Sequence, residues 1–419
     1  MEFLLTTTQP AYFGSVFVTA SLVAFFCSAM VAWLLLLTRS LHIRWTGDHP
    51  HGGPQKLHVE ATARVGGVAI ALGLLAGLVS VHLSATGGLR TQLLGYQAVW
   101  LIAAAAPLFL LGLVEDVSSA VSIRLRLVAA LAAGALAWGM GGVRISQLHL
   151  PLLDQLLVSI PFFSFCLTVV AVGGLVHAMN IVDGVNGLLA GIALLMLGAV
   201  ALVAGRFNEP VLLLIAALGM AAALGFVLFN FPKGRLFCGD AGAYLLGYLA
   251  AVLLVLLVLE QPALSPWFAM AVVIHPVTET LYSAWRRARS GLSPTAPDVQ
   301  HMHSLWSARL RVIERSTGRR VTLGTNAGAS WRTLAMALVP TVVAIVWPTQ
   351  TTVLQLLCVA YVVAFILVVQ LLSASLHATA QVPSASGASP APSSPNPAEA
   401  SNMPMYQAAC APSRAELPG

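Results

Sequence analysis

Long apolar runs separated by short polar breaks organise this chain. Eleven of them lie near residues 12–38, 64–84, 96–115, 124–141, 157–179, 187–205, 210–229, 237–259, 265–282, 332–348 and 351–373. About 20 apolar residues carry a helix across the hydrocarbon core of a bilayer, so each run is predicted to be a membrane-spanning helix. The runs are unbroken stretches of Ala, Leu and Val, without the alternation a membrane barrel requires. No internal repeat is evident. The expected fold class is therefore all-α: a polytopic transmembrane helix bundle of about 11 spans, filling residues 1–377 as one domain. Two stretches depart from the pattern. Residues 283–331 form a long, basic, polar loop within that domain, of a size that is usually functional or partly disordered. Residues 378–419 are rich in Pro, Ala and Ser and hold too few large apolar side chains to pack, so a disordered tail is predicted.

Composition agrees with the pattern. The 419 residues are 58% hydrophobic and only 9% charged, too few charges to cover a water-facing surface of this size. The net charge of +6 reads as a membrane-orientation signal and gives no reason to expect a nucleic-acid partner. Eighteen of the 21 Lys and Arg residues fall on one set of alternate loops, leaving only Arg90, Arg144 and Arg206 on the other. By the positive-inside rule the first set faces the cytoplasm, which puts the N-terminus outside and the C-terminus inside. The apolar run after Pro10 is preceded by no Lys or Arg, so a retained first helix is expected rather than a cleaved signal peptide. The five cysteines are scattered, with no CxxC pair and no metal-ligand spacing, which argues against disulfides and structural zinc.

The 15 carboxylates are placed more informatively. Glu115 and Asp116 end the third span, Asp183 lies between the fifth and sixth, Asp240 opens the eighth and Glu279 lies near the end of the ninth. All belong to the face predicted to be cytoplasmic. Ionisable groups at membrane depth are costly and mark functional sites; the plain alternative for any one of them is an interfacial helix cap. In Asn180-Ile-Val-Asp183-Gly184-Val-Asn186-Gly187 the polar residues recur every three positions. On a helix they would cover an arc of about 120°, and the glycines can expose backbone N–H groups. That set suits Mg²⁺ or a diphosphate. His301 and His303 share one side of an extended segment. Phosphate binding is preferred for them over an ordinary polar loop, and no further ligands are spaced nearby for zinc. Lys56, His58, Arg124 and Arg126 are either phosphate contacts or topology signals, and Arg286–Arg289 reads as a topology signal or an anionic-lipid contact.

Five segments, in order, are PQKLHVEATARVGG, GLVED, NIVDGVNGLLAG, FCGDAGAYLLG and PDVQHMHSL. Together they resemble the polyprenyl-phosphate N-acetylhexosamine-1-phosphate transferases over roughly residues 40–335, and most of all the N-acetylglucosamine branch. The resemblance implies a Mg²⁺-dependent phosphoglycosyltransferase, with Mn²⁺ as a substitute metal. N-acetylhexosamine 1-phosphate, with N-acetylglucosamine the leading sugar, would pass from a UDP-sugar to undecaprenyl or another polyprenyl phosphate, and UMP would leave. Such a step initiates cell-wall, lipopolysaccharide or other polysaccharide synthesis at the inner (plasma) membrane, from the cytoplasmic side. By the same resemblance Asp240, Asn180 and Asp183 would hold the metal and diphosphate. Asp116, Glu115 and Asp183 would be the catalytic carboxylates. Lys56, His58, Arg126, Asn180, Asn186, His301 and His303 would contact substrates. The implied partners are the carrier lipid, the UDP-N-acetylhexosamine and the bilayer, with a homodimer left open. Two departures stand out: Glu115 occupies a position where the family has Asp, and Ser304 one where it often has a further His. Two readings of another class remain at this point, an ion-coupled transporter and a non-catalytic relative that only binds carrier lipid. The polar cluster on one face and the lack of an inverted repeat weigh against the transporter.

Overall fold

The computed structural model describes residues 9–48, 61–291, 300–318, 320 and 324–380. The apolar runs are helical as expected. In chain order the helices are α1 (Gln9–Leu37), α2 (Arg39–Thr46), α3 (Gly66–Ser84), α4 (Gly87–Leu93), α5 (Tyr96–Ala103), α6 (Ala106–Ser118), α7 (Ile123–Gly141) and α8 (Pro151–Ser159). They continue as α9 (Pro161–Val182), α10 (Leu188–Arg206), α11 (Pro210–Asn230), α12 (Gly239–Glu260), α13 (Pro266–Arg289), α14 (Met302–Thr317), α15 (Gly324–Val346) and α16 (Thr351–Ala380). The only sheet among the described residues pairs β1 (Gly47–Asp48) with β2 (Thr62–Ala63), antiparallel. Hydropathy cannot register so short a ribbon.

Local chemistry sets the helix limits. Pro occupies the first turn of α6, α8, α9, α11 and α13, where its missing N–H has no partner to lose. The Ser122 hydroxyl accepts from Leu125 N to start α7, and Gly142, at φ 69°, ends it.

Ten helical segments among the described residues are long and apolar enough to cross a membrane. The ninth predicted run is the exception. It is the helix α13, but His275, Glu279 and Ser283 recur every four residues on its buried side and three arginines close its last turn. Its composition therefore fails the test its length passes. The predicted 96–115 span is built from α5 and α6 and continues back through α4 as one segment, Gly87–Ser118. Within the basic loop, α14 is an amphipathic helix packed on α15 and α16. At the other boundary, α16 runs through Ala380, past the predicted start of the tail; residues 381–419 lie outside the described residues.

The core is α12. It is buried almost throughout and packs on α3, α6, α9, α10, α11 and α13. Close approach at its N-terminal end relies on glycine. A side chain at Gly67 or Gly112 would collide with the backbone of the first α12 turn, at Gly242 and Ala241. Outer helices turn large apolar residues such as Phe26, Leu202 and Leu356 outward, the arrangement expected of a surface solvated by lipid.

Candidate active site

The polar residues meet where α6, α9, α11 and α13 end and α7, α10, α12, α14 and α15 begin. The segment before α3 is stitched to the one before α12: Gly66 N and Gly67 N donate to the carbonyls of Phe237 and Cys238, and Phe237 N donates to Ala63 O. The chain then enters α12 through Gly239, at φ 75°. A side chain there would strike the Arg64 carbonyl and the Asp116 carboxylate, so only glycine fits.

Asp116 is 1% exposed. Its Oδ1 accepts from Asp240 N at 2.8 Å and its Oδ2 from Ala241 N at 3.0 Å. The carboxylate thus takes the free amides at the α12 N-terminus, where a negative charge is favoured. Asp240, one residue into that helix, accepts on Oδ2 from Arg126 Nη1 at 2.9 Å and from the Tyr244 hydroxyl at 3.0 Å. Glu115 completes the frame. Its Oε1 lies 3.7 Å from Arg126 Nη1, and its Oε2 accepts from Val121 N at 2.9 Å, so it orients the guanidinium and closes the turn between α6 and α7. Arg64 Nη2 donates to the Ser119 hydroxyl in the same turn at 2.8 Å.

Asp183 caps the C-terminal end of α9. Burial, with the Asp240 carboxylate adding to it and the Arg64 guanidinium opposing, pushes its carboxyl from 3.8 up to about 7. The mutual repulsion of the two carboxylates favours a cation near them. The Asn180 side chain lies against the Tyr244 hydroxyl, to which its amide N–H donates. Among the described residues no three His, Cys, Asp or Glu groups converge on a common point. The set fits Mg²⁺, which takes one or two carboxylates and completes its shell with water and substrate phosphates.

Asn186 has a different setting. Its N donates to Asn326 Oδ1 at 2.6 Å, its Nδ2 to Pro232 O at 3.0 Å, and its carbonyl accepts from the Ser330 hydroxyl at 2.6 Å. Gly187 N donates to Asn230 Oδ1 at 2.6 Å. These bonds fix the turn between α9 and α10 to α15 and to the loop that carries Lys233 and Arg235.

The histidine pair comes to the same turn. His301 and His303 stack with ring centroids 5.5 Å apart and planes 7° from parallel. His303 lies directly on Gly184, where a side chain would occupy its imidazole. Glu279 holds the segment from below: its Oε1 is 2.9 Å from His301 Nδ1, and Met302 N reaches its two oxygens at 3.2 and 3.3 Å. The fold therefore brings together Glu115, Asp116, Arg126, Asn180, Asp183, Asn186, Asp240, His301 and His303, all expected from the sequence. Lys56 and His58 lie outside the described residues. Tyr244 and His177 were not expected. The only signals for them are helical spacing, one turn after Asp240 and one turn before Asn180.

An apolar cavity of about 520 Å³ lies between α9, α12 and α13; it runs from the 144–150 segment, at the opposite end of these helices from the cluster, as far as Ala178 and Leu281. Gly174, Ala178, Leu254, Val273 and Leu281 are among its lining residues.

The helices long and apolar enough to cross a membrane, with acidic and basic groups gathered at one end, define a polytopic helical membrane protein. Residues 98–258 match the family described as Glycosyl transferase family 4. The chain is 25% identical over 253 residues to the probable undecaprenyl-phosphate N-acetylglucosaminyl 1-phosphate transferase of Bacillus subtilis, covering 59% of this chain and 66% of that one. It is 29% identical over 333 residues to the decaprenyl-phosphate N-acetylglucosaminephosphotransferase of Mycolicibacterium smegmatis, covering 73% and 77%. The undecaprenyl-phosphate alpha-N-acetylglucosaminyl 1-phosphate transferase of Escherichia coli K12 is 28% identical over 258 residues, covering 60% and 66%. Over residues 98–258 the chain is similar to glycosyl transferase family 4. The matched segment contains every site residue from Glu115 to Asp240, while the histidine pair lies beyond it.

Proposed function

We propose that this protein transfers N-acetylglucosamine 1-phosphate from its UDP derivative to a polyprenyl phosphate, releasing UMP, at the cytoplasmic face of the plasma membrane. The observation that carries the reading is the junction itself: the Asp183, Asp240 and Arg126 cluster, overlaid by the histidine pair, at one end of the membrane bundle. Similarity to three relatives named for this transfer supports it.

In the proposed reaction an acceptor phosphate oxygen bonds to the β-phosphorus of the donor. The bond from that phosphorus to the bridging oxygen breaks, and UMP leaves with its electron pair. A phosphate monoester is mostly dianionic at neutral pH, its second pKa being about 6, so the acceptor needs little help to lose a proton. Phosphoryl transfer then rests on alignment and charge stabilisation. Asp240, Asp183 and Asn180 would hold Mg²⁺, which would offset phosphate charge. Arg126 is fixed by Asp240 and Glu115 through one nitrogen, Nη1; a guanidinium has five N–H donors, so others remain to receive the acceptor phosphate. His301 and His303, stacked over the turn after Asp183, would contact the donor diphosphate from the aqueous side. The apolar cavity between α9, α12 and α13 would take part of the carrier's hydrocarbon chain.

The test is UMP release by purified protein in detergent with undecaprenyl phosphate, Mg²⁺ and a panel of UDP-sugars. The reading requires release that depends on both lipid phosphate and metal and is fastest with UDP-N-acetylglucosamine. Folded protein that releases no UMP from any of them overturns it.

A further inference from the structure

Two arginines stand in the polar cluster, and they are held differently. Arg126 is committed to carboxylates, with Asp240 at 2.9 Å and Glu115 at 3.7 Å. Arg64 has no carboxylate within ion-pair distance among the described residues. Its side chain makes one bond there, from Nη2 to the neutral Ser119 hydroxyl at 2.8 Å.

The rest of Arg64 is fixed. Its N donates to Thr46 O at 2.8 Å, and its carbonyl lies so close to Gly239 that a side chain on that residue would strike it. Nε is sealed from solvent and bonds nothing among the described residues. The inner edge of the guanidinium is therefore desolvated and taken up by packing. The outer end, with two protons on Nη1 and a second on Nη2, is left open. A half-buried cation without a carboxylate to neutralise it is costly. Two coplanar nitrogens are the donor set that fits two oxygens of a phosphate.

Arg64 also belongs to one side of the cluster. Its charge acts on Asp116 and on Asp183. Asp183 precedes Gly184, on which the His303 ring lies. That is the side given above to the donor diphosphate, while Arg126, bound to Asp240, is the arginine given to the acceptor.

We propose that Arg64 binds the diphosphate of the UDP-sugar, Nη1 and Nη2 donating end-on to two phosphate oxygens. The assignment rests on the transfer reading given above and deepens it, because each substrate then has an arginine of its own. The plainer role for Arg64 is to neutralise Asp116 and Asp183. The two roles diverge once the charge is removed. Loss of a neutraliser lowers stability without separating one substrate's KM from the other's. Loss of a diphosphate contact weakens the UDP-sugar selectively, and leaves the carboxylates no less able to hold Mg²⁺.

The test compares wild type with Arg64→Gln and Arg64→Lys in detergent, by thermal unfolding, Mg²⁺ affinity and KM for both substrates. A hydrogen bond to a charged group is worth a factor of about 10–100. Arg64→Gln is therefore expected to raise KM for UDP-N-acetylglucosamine about tenfold or more, with KM for undecaprenyl phosphate unchanged and Mg²⁺ affinity not weakened. Arg64→Lys keeps the charge beside Asp116 and Asp183, and with it the fold, but an ammonium cannot form the fork. Its donor KM should rise by a smaller factor, and this variant decides the matter if Arg64→Gln does not fold. UMP release by wild type, with a wild-type donor KM in either variant or a rise as large for lipid phosphate as for donor, overturns the assignment and leaves the transfer reading intact. Wild-type protein that releases no UMP overturns both.

Discussion

Asp116 invites a role as a base, yet its geometry gives it a mechanical one, and Asp116→Asn separates the two. The carboxylate takes two amides, Asp240 N and Ala241 N, at 2.8 and 3.0 Å. A carboxamide has one oxygen to offer, so one amide loses its acceptor while an NH₂ group is turned toward it. An unsatisfied buried donor costs about 1–3 kcal/mol. Loss of the anion at a helix N-terminus adds about 0.3–2 kcal/mol, so a destabilisation of roughly 2–4 kcal/mol is expected. The first turn of α12 also carries Asp240, and a displacement of about 1 Å in a reacting group can cost a factor of about 100. Thermal unfolding of the detergent-solubilised protein, with and without Mg²⁺, is the first assay. UMP release is the second. Asp116→Asn should unfold at lower temperature and bind Mg²⁺ more weakly, with kcat reduced about 100-fold. A variant with wild-type thermal stability and Mg²⁺ affinity but no turnover would refute the anchoring argument and restore Asp116 as a proton acceptor.

Glu279→Gln removes the carboxylate that holds both His301 and the start of α14; KM for the UDP-sugar should rise about tenfold or more, and an unchanged KM would separate the histidine pair from donor binding. Gly184→Ala places a methyl group where the His303 ring lies; transfer should fall sharply while unfolding temperature shifts little, and full activity would mean that the two need not touch. Asp183 binds its proton more tightly in the folded protein, about 7 against 3.8. Its contribution to stability therefore declines as pH rises from about 4 and levels off above about 7. Metal-free protein should accordingly be less stable at pH 8 than at pH 5 by a component that Asp183→Asn abolishes, and an identical pH slope in the variant would exclude it.

Hydropathy located nearly every helix of the bundle because lipid imposes one demand, an apolar stretch of fixed length. It was less informative for α13, whose apolar length conceals the polar row of His275, Glu279 and Ser283. The site was legible wherever its residues fall in one short motif. Asn180 and Asp183 close α9, and the histidines lie together. What could not be read was pairing across distance. Nothing near residue 116 announces that its partners are amides at 240 and 241. Nothing in the spacing of Asn180, Asp183 and Asn186 tells that Asn186 is spent on Asn326, Pro232 and Ser330. Tyr244 and Asp240, one helical turn apart, illustrate a local signal masked by its setting, since a tyrosine in an apolar run reads as packing.

The stitching of Gly66 and Gly67 to Phe237 and Cys238 has a consequence for biogenesis. Ribosomes add about 5–20 residues per second, so the segment before α3 enters the membrane on the order of 10 s before its partner is made. Through that interval Asp116 has no α12 amides to hold. The nascent chain therefore passes through a long inert stage with a carboxylate and an arginine waiting at the lipid boundary, and competence for chemistry arrives late, with the insertion of α12 and the docking of the histidine pair. Premature release from the ribosome at any earlier point leaves helices in the bilayer but no enzyme.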